Sequence, residues 1–169
     1  MMYALSGTPG TGKSTLADAL MKMGFPVCKL ADTCSEFAVR KDRARQTTVI
    51  DEDAWAASFP VFEGVVEGHL AHLLTCDRLV ILRCHPDLLR KRLEDRGYPP
   101  AKLAENVEAE ALDVILIEAV ELQLPSKIME IDTSREGVCE CAKIAAAFFR
   151  GEIPGSYGSL DWSSCLGGS

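Results

Sequence analysis

Gly7-Thr8-Pro9-Gly10-Thr11-Gly12-Lys13-Ser14 is the stretch that decides the fold of this chain. The spacing is Gly, four residues, then Gly-Lys-Ser. Glycines let a backbone turn tightly around an anion, and the amides of Gly10, Gly12, Lys13, Ser14 and Thr15 then point inward at phosphate oxygens. Lys13 is placed to reach the β and γ phosphates, and the Ser14 hydroxyl to ligate Mg²⁺. Context separates this motif from a chance glycine-rich turn. Met2-Tyr3-Ala4-Leu5 reads as a strand before the loop, and Ser14 to Leu20 reads as a helix after it. That order sets the anion on a helix N-terminus, where unpaired amides and the dipole both favour negative charge. The sequence therefore predicts binding of a nucleoside triphosphate.

Working outward, the 169 residues and 47% hydrophobic content fit one domain with one core. Net charge is −7, with 18 Lys and Arg against 25 Asp and Glu. Direct sequence-specific nucleic-acid binding is not expected of such a balance, because the phosphate backbone calls for a basic excess. No apolar run reaches membrane-spanning length. With the loop starting at Gly7, no secretory leader is expected, and the expected location is cytoplasmic, or nuclear in a eukaryote. The seven cysteines lack zinc-ligand spacing, and Cys84-His85 with His69, His72 and Cys76 matches no standard ligand set. They read as small buried hydrophobes.

Strand and helix signals alternate along the rest of the chain. Val27 to Leu30 reads as a second strand, and residues 31 to 47 have helical composition with a basic cluster at Arg40, Lys41, Arg43 and Arg45. Asp51-Glu52-Asp53 opens a short helix. Pro60 to Val66 leads into a third strand ending at Glu67-Gly68-His69, and Arg78 to Arg83 is a fourth, with the apolar branched character of a buried parallel strand. Pro86 begins a helix that stops at Gly97. One long helix is expected over about 101–122, with Leu103, Val107, Ala111, Val114 and Ile117 on its apolar side, and Pro125 ending it. A fifth strand follows at Ser126 to Ile131, then an alanine-rich helix from Arg135 to Phe149. The tail 151–169 is rich in Gly, Ser and Pro, with Tyr157 and Trp162 as bulky anchors, and reads as either docked or flexible. The alternation implies an α/β fold around a mostly parallel sheet, with ligands at the carboxyl ends of the strands.

The loop alone does not separate kinases from GTPases or motor ATPases. The Asn-Lys-x-Asp base-reading motif of a GTPase is missing. Arg92 and Arg96 fall one turn apart on a helix that runs into Gly97-Tyr98-Pro99-Pro100, which suits a lid hinge. Arginines closing on a transferring phosphoryl group supply charge stabilisation. Arg90 and Lys91 read instead as a solvated face. Val65-Val66-Glu67 ends an apolar strand in a carboxylate, suited to holding the Mg²⁺ water shell or positioning a nucleophile. His69 either orients substrate or water or caps the next helix. The candidate catalytic residues are Lys13, Glu67, His69 and Arg96, and the candidate metal residues Ser14 and Glu67.

Four segments together resemble the atypical adenylate kinases, the family of adenylate kinase isoenzyme 6 (also called coilin-interacting nuclear ATPase protein) and its archaeal relatives. They are Gly7 to Thr15, Val66-Glu67-Gly68-His69, Arg92 to Tyr98 and Glu105-Asn106-Val107-Glu108-Ala109-Glu110. The resemblance spans Met1 to about Phe149. It implies a P-loop kinase core with strand order 2-3-1-4-5, a monophosphate-binding segment at about 30–53 and a short lid at about 95–105. ATP contacts carry over to Gly10, Gly12, Lys13, Ser14, Thr15 and Arg96. Where the family has Asp-x-His this chain has Glu67-Gly68-His69, and between Leu30-Ala31 and Asp51-Glu52-Asp53 it departs further. The implied activity is Mg²⁺-dependent phosphoryl transfer between ATP and AMP with some ATP hydrolysis. The implied partner is a platform ribosomal protein, bound transiently during small-subunit maturation and rRNA processing. The alternative is an ATPase assembly factor with little kinase turnover; small kinases for shikimate or cytidylate are a weaker third reading.

Overall fold

Short apolar runs rich in Val, Ile and Leu dictate strands buried on both faces, and five of them assemble here into one parallel sheet. The computed structural model describes residues 1–30, 38–42 and 47–166, with side chains left out of account at 38–42 and 47–50. The sheet order is β2 (Val27–Lys29), β5 (Gly64–Glu67), β1 (Met2–Gly7), β6 (Arg78–Arg83) and β7 (Ile128–Asp132). Counted within the sheet this is 2-3-1-4-5. β1 is central, pairing Leu5 with Glu67 on one side and Gly7 with Leu82 on the other.

Alternation along the strands divides the core into two layers. Leu5, Val65, Val80, Leu82 and Ile131 pack against α1 (Lys13–Lys22) and α6 (Val138–Phe149). Ala4, Val66, Leu79, Ile81 and Ile128 face the other way, against Trp55 of α2 (Glu52–Ser58) and Leu116 and Ala119 of α5 (Val114–Leu122). A third cluster joins Leu89 and Leu93 of α3 (Pro86–Asp95) to Leu103 and Val107 of α4 (Pro100–Ala111). Asp51 caps α2, its carboxylate accepting from the Ala54 amide at 3.0 Å.

Two expectations are corrected. Within 31–47, read as helical, residues 38–42 form β3 (Ala38–Asp42), antiparallel to β4 (Thr47–Ile50). The β-branched run Thr47-Thr48-Val49-Ile50 favours an extended partner, and cross-strand pairing outweighs the weak helical preference of Arg and Lys. Residues 31–37 and 43–46 of the expected monophosphate segment lie outside the described residues. The long helix over 101–122 is two helices, α4 and α5. Asp113 takes φ 57°, a left-handed conformation that aspartate tolerates better than most residues, and its carboxylate bonds to Arg83. The interruption changes the helical phase. Leu103, Val107 and Ala111 are buried as expected, but Val114 and Ile117 face solvent while Leu116 and Ala119 enter the core.

The tail docks. The Glu130 amide donates to the Ser156 carbonyl at 2.8 Å, and Trp162, 8% exposed, lies under the Arg83 guanidinium at 4.9 Å. Among the cysteines, Cys76, Cys84 and Cys141 are buried as expected, whereas Cys139 is exposed. No helix among the described residues is long and apolar enough to cross a membrane.

Phe149 at the end of α6 stacks on Tyr3 at 4.7 Å and meets Phe25 edge-on, joining α6 to the central strand. Phe149→Ala is expected to destabilise the fold by about 4 kcal/mol in urea unfolding, since a buried aromatic leaves a cavity. Val61→Ala, at a side chain 93% exposed, is expected to leave the midpoint unchanged.

Candidate active site

The central strand ends at Gly7, and the chain must turn there beneath β6. Gly7 sits at φ 144°, and a Cβ on it would stand 2.5 Å from the Leu82 carbonyl oxygen, so the first glycine of the loop is fixed by close approach. The loop closes on Thr8, whose carbonyl accepts from the Thr11 amide at 3.2 Å and the Thr11 hydroxyl at 2.8 Å. α1 starts at Lys13. Its first intrahelical acceptance is Gly12 O from the Leu16 amide, which leaves the amides of Lys13, Ser14 and Thr15 without a carbonyl in their own helix. This is the anion-attracting end of the helix.

Lys13 is buried, 8% exposed, and its ammonium donates to the carbonyls of Gly7 at 2.7 Å and Thr8 at 3.0 Å. Burial lowers its pKa to about 8, against the attraction of Glu67 and Glu110, and the Arg96 charge lowers it further. Glu67, buried at the carboxyl end of β5, accepts from the Ser14 hydroxyl at 3.3 Å. The structure thus brings Lys13, Ser14 and Glu67 together from two elements.

After Glu67 the chain turns at Gly68, where a Cβ would stand 2.7 Å from the Leu30 Cβ, so a side chain there would force β2 away. His69 follows, exposed to solvent and near enough to Lys13 to feel its charge. Its imidazole is lowered to about 4, first by the protein around it and next by the Lys13 charge, so it is neutral at physiological pH. The short turn that follows, Ala71–Leu73, is capped by Leu70 without a side-chain hydrogen bond, which removes the capping role weighed for His69. The Ser6 hydroxyl donates to the His69 carbonyl at 3.0 Å.

On the other side of the loop lies a crevice of about 490 Å³ between α1, α3 and α6. Arg96 lines it beside Gly10, Gly12 and Thr15, at the end of α3. Arg92 goes further than spacing suggested. Its guanidinium donates to Thr133 Oγ1 at 3.2 Å and Thr133 O at 3.1 Å, and reaches the Gly10 carbonyl at 3.4 Å. Thr133 in turn donates to Thr11 O at 2.8 Å. Thr133, Gly137, Val138 and Cys141, which close the crevice, were missed in the sequence. The one signal available was their place after the last strand, the carboxyl end where α/β sheets bind ligands.

Two further buried charged groups, Glu110 and Arg83, complete the surroundings. Glu110 of α4 reaches the loop through the Thr8 hydroxyl. Arg83, 2% exposed, binds Glu110 at 2.9 Å and contacts Asp113 and Glu130. Burial opposes its charge, but Glu110, Glu130 and Asp113 outweigh this and raise its pKa above the usual arginine range.

A five-stranded parallel sheet of this order with a phosphate loop after the central strand defines the P-loop kinase fold class. Solved structures agree. A shikimate kinase from Acinetobacter baumannii superposes with TM-score 0.57 at 14% identity, covering 89% of this chain and 93% of its own. A gluconokinase from Sinorhizobium meliloti gives 0.54 at 19% identity, covering 88% and 91%. Residues 4–113 match the AAA domain family model. Proteins named "Putative adenylate kinase" from Archaeoglobus fulgidus and Natronomonas pharaonis are 43% and 40% identical, covering 98% of this chain and 94% and 100% of theirs. The chain belongs to this archaeal family.

The lowered Lys13 pKa has a definite sign. Below about pH 8 the ligand-free protein already carries the ammonium; above it the proton is lost and must be regained when phosphate binds. Between about pH 7 and 8, where the ADP phosphates are already fully ionised, ADP affinity is expected to be flat, and above about pH 8 to weaken by about tenfold per unit, because one proton is then taken up on binding. Calorimetry in buffers of different ionisation enthalpy measures that proton. Lys13→Met should bind more weakly and lose the slope.

Proposed function

We propose that this chain is a nucleoside monophosphate kinase, an ATP:AMP phosphotransferase that forms two ADP. The observation that carries the reading is the convergence of Lys13, Ser14 and Glu67 at the helix N-terminus, with the Ser14 hydroxyl 3.3 Å from the Glu67 carboxylate. In this reading the amides of Gly10, Gly12, Lys13, Ser14 and Thr15 cradle the phosphates. Lys13 moves from the Gly7 and Thr8 carbonyls to the β and γ phosphates. The crevice beside Thr133 and Gly137 takes the adenosine end, and Arg96, at its rim before the Gly97 turn, closes on the transferring group. The stretch at 95–105 acts as the lid and 30–53 as the monophosphate-binding segment, with the acceptor hydroxyl or phosphate entering past His69.

Ser14 and Glu67 fit Mg²⁺. They present one neutral and one anionic hard oxygen, few enough to leave most of the ion's waters in place. Bound there, the ion neutralises charge on the phosphates. Glu67 would position its water shell, and the neutral His69 would accept a hydrogen bond from water or acceptor.

The same neutral His69 favours a second reading, in which ATP hydrolysis drives an assembly factor. The resemblance to the isoenzyme 6 family adds a transient platform ribosomal partner in small-subunit maturation, acting in the cytoplasm or, in a eukaryote, the nucleus. A net charge of −7 suits a basic partner.

Steady-state turnover with ATP and each nucleoside monophosphate in turn, against water alone, decides between the readings. Turnover with AMP is expected to exceed hydrolysis by about a hundredfold, the scale on which a positioned acceptor outruns water. Comparable rates would move the assignment to the assembly factor. Lys13→Ala should abolish transfer, and near-normal turnover in that folded variant would falsify the phosphate-site reading. Arg96→Ala should lower kcat more than it raises the KM for ATP, since its contact forms as the group transfers. His69→Asn and His69→Gly should both lose turnover.

A further inference from the structure

The segment Glu105 to Glu110 stands out in the sequence, yet the phosphate chemistry above assigns it no task. Its last residue does not behave as a surface glutamate. Glu110, 3% exposed near the end of α4, divides its carboxylate between two parts of the molecule. One oxygen accepts from Arg83 Nε and from the Cys84 amide, each at 2.9 Å. The other accepts from the Thr8 hydroxyl at 2.5 Å, away from the arginine. Arg83 is also held by Glu130 and Asp113, so its charge does not depend on Glu110 alone. The Thr8 hydroxyl, buried within the loop, is matched to the Glu110 carboxylate.

Thr8 is the residue on which the loop closes. Its carbonyl accepts from Thr11 N, Thr11 Oγ1 and Lys13 Nζ. A carboxylate that fixes its side chain therefore fixes the plane of the peptide that shapes the loop. A buried hydrogen bond to a charged acceptor is also the strong kind, and leaving either partner unmatched is costly. α4 begins at Pro100, three residues after the Gly97 turn, so the helix holding Thr8 is also the helix that follows the proposed hinge.

We propose that Glu110 is a positioning residue that shapes the phosphate loop through Thr8 and ties it to the helix behind the lid. Its effect on turnover rests on the kinase reading above; its effect on the loop does not. Thr8→Val removes the hydroxyl at nearly constant shape and leaves every Arg83 ion pair intact, while Thr8→Ser keeps the hydroxyl. Glu110→Gln keeps the shape and removes the charge.

The test is made on the full chain by amide hydrogen exchange without nucleotide, followed by steady-state kinetics. In Thr8→Val and Glu110→Gln, the Thr11 amide is expected to exchange about tenfold faster or more, while the amides of β6 stay within about twofold of the parent. kcat should fall about tenfold with the KM for ATP changed less than about threefold, because the loop still binds but is misplaced for transfer. Thr8→Ser should restore both to within about threefold. Unchanged Thr11 exchange in Thr8→Val overturns the proposal. So does a Thr8→Ser variant as impaired as Thr8→Val, or faster exchange spread evenly into β6, which marks a loss of stability only. If Glu110→Gln does not fold, the Thr8 pair decides alone. Expected exchange behaviour in a chain without phosphoryl transfer refutes the kinase reading and leaves this role standing, whereas robust transfer with unaltered exchange refutes this role alone.

Discussion

A single buried guanidinium sets much of the architecture around the phosphate loop. Arg83 ends β6 inside the protein, where an unpaired charge is not tolerated, and three carboxylates from three elements come to it: Glu110 from α4, Asp113 from the α4–α5 junction and Glu130 from β7. Trp162 from the tail covers its face. Such a cluster adds little net stability relative to an apolar core, but breaking it by removing one partner costs about 3–5 kcal/mol. Its consequence is placement. The αL turn at Asp113, the docking of the tail and the direction of the Glu110 carboxylate all answer to one charge.

The phosphate loop is built on the other side of that cluster by a different balance. Lys13 is desolvated, and its ammonium is satisfied by two loop carbonyls. Carbonyls satisfy a lysine without neutralising it, so the charge remains available for an anion that matches it better. The arrangement stores a cation in a low-dielectric site, where its pull on phosphate is stronger than in water. Arg92 performs a complementary task by bonding the loop to Thr133 across the crevice. Arg96 lines the same crevice at the end of α3, beside the Gly97 turn.

His69 and His72 show how adjacent residues of one type diverge with environment. His69 is lowered to about 4, first by desolvation and next by the Lys13 charge. His72, three residues on, is buried between the Ser6 hydroxyl at 3.0 Å and the Glu118 carboxylate at 2.8 Å, where it links the central strand to α5. The difference comes from their surroundings: one lies beside the Lys13 charge and the other between a hydroxyl and a carboxylate.

The sheet order was only what the family resemblance implied, whereas the sequence by itself determined the alternation of strands and helices, the phosphate loop and the strand-end position of Glu67. These depend on local patterns: glycines at fixed offsets, apolar runs of strand length, and the order in which strands and helices alternate. The approach of Ser14 to Glu67 was legible in part, because the phosphate loop that leads into α1 and the Glu67 strand end both lie at the carboxyl edge of the sheet. The tertiary structure decided what depends on partners distant in the chain. No glycine or proline marks the break at Leu112-Asp113, since its cause is Arg83, thirty residues away. The strand at Ala38–Asp42 is set by its antiparallel partner rather than by its own composition. Nothing in the sequence around Glu110 announces Thr8, Arg83 and Cys84, which surround its carboxylate in the fold. Periodicity reports which residues share a face, and only the folded chain decides which charge that face meets.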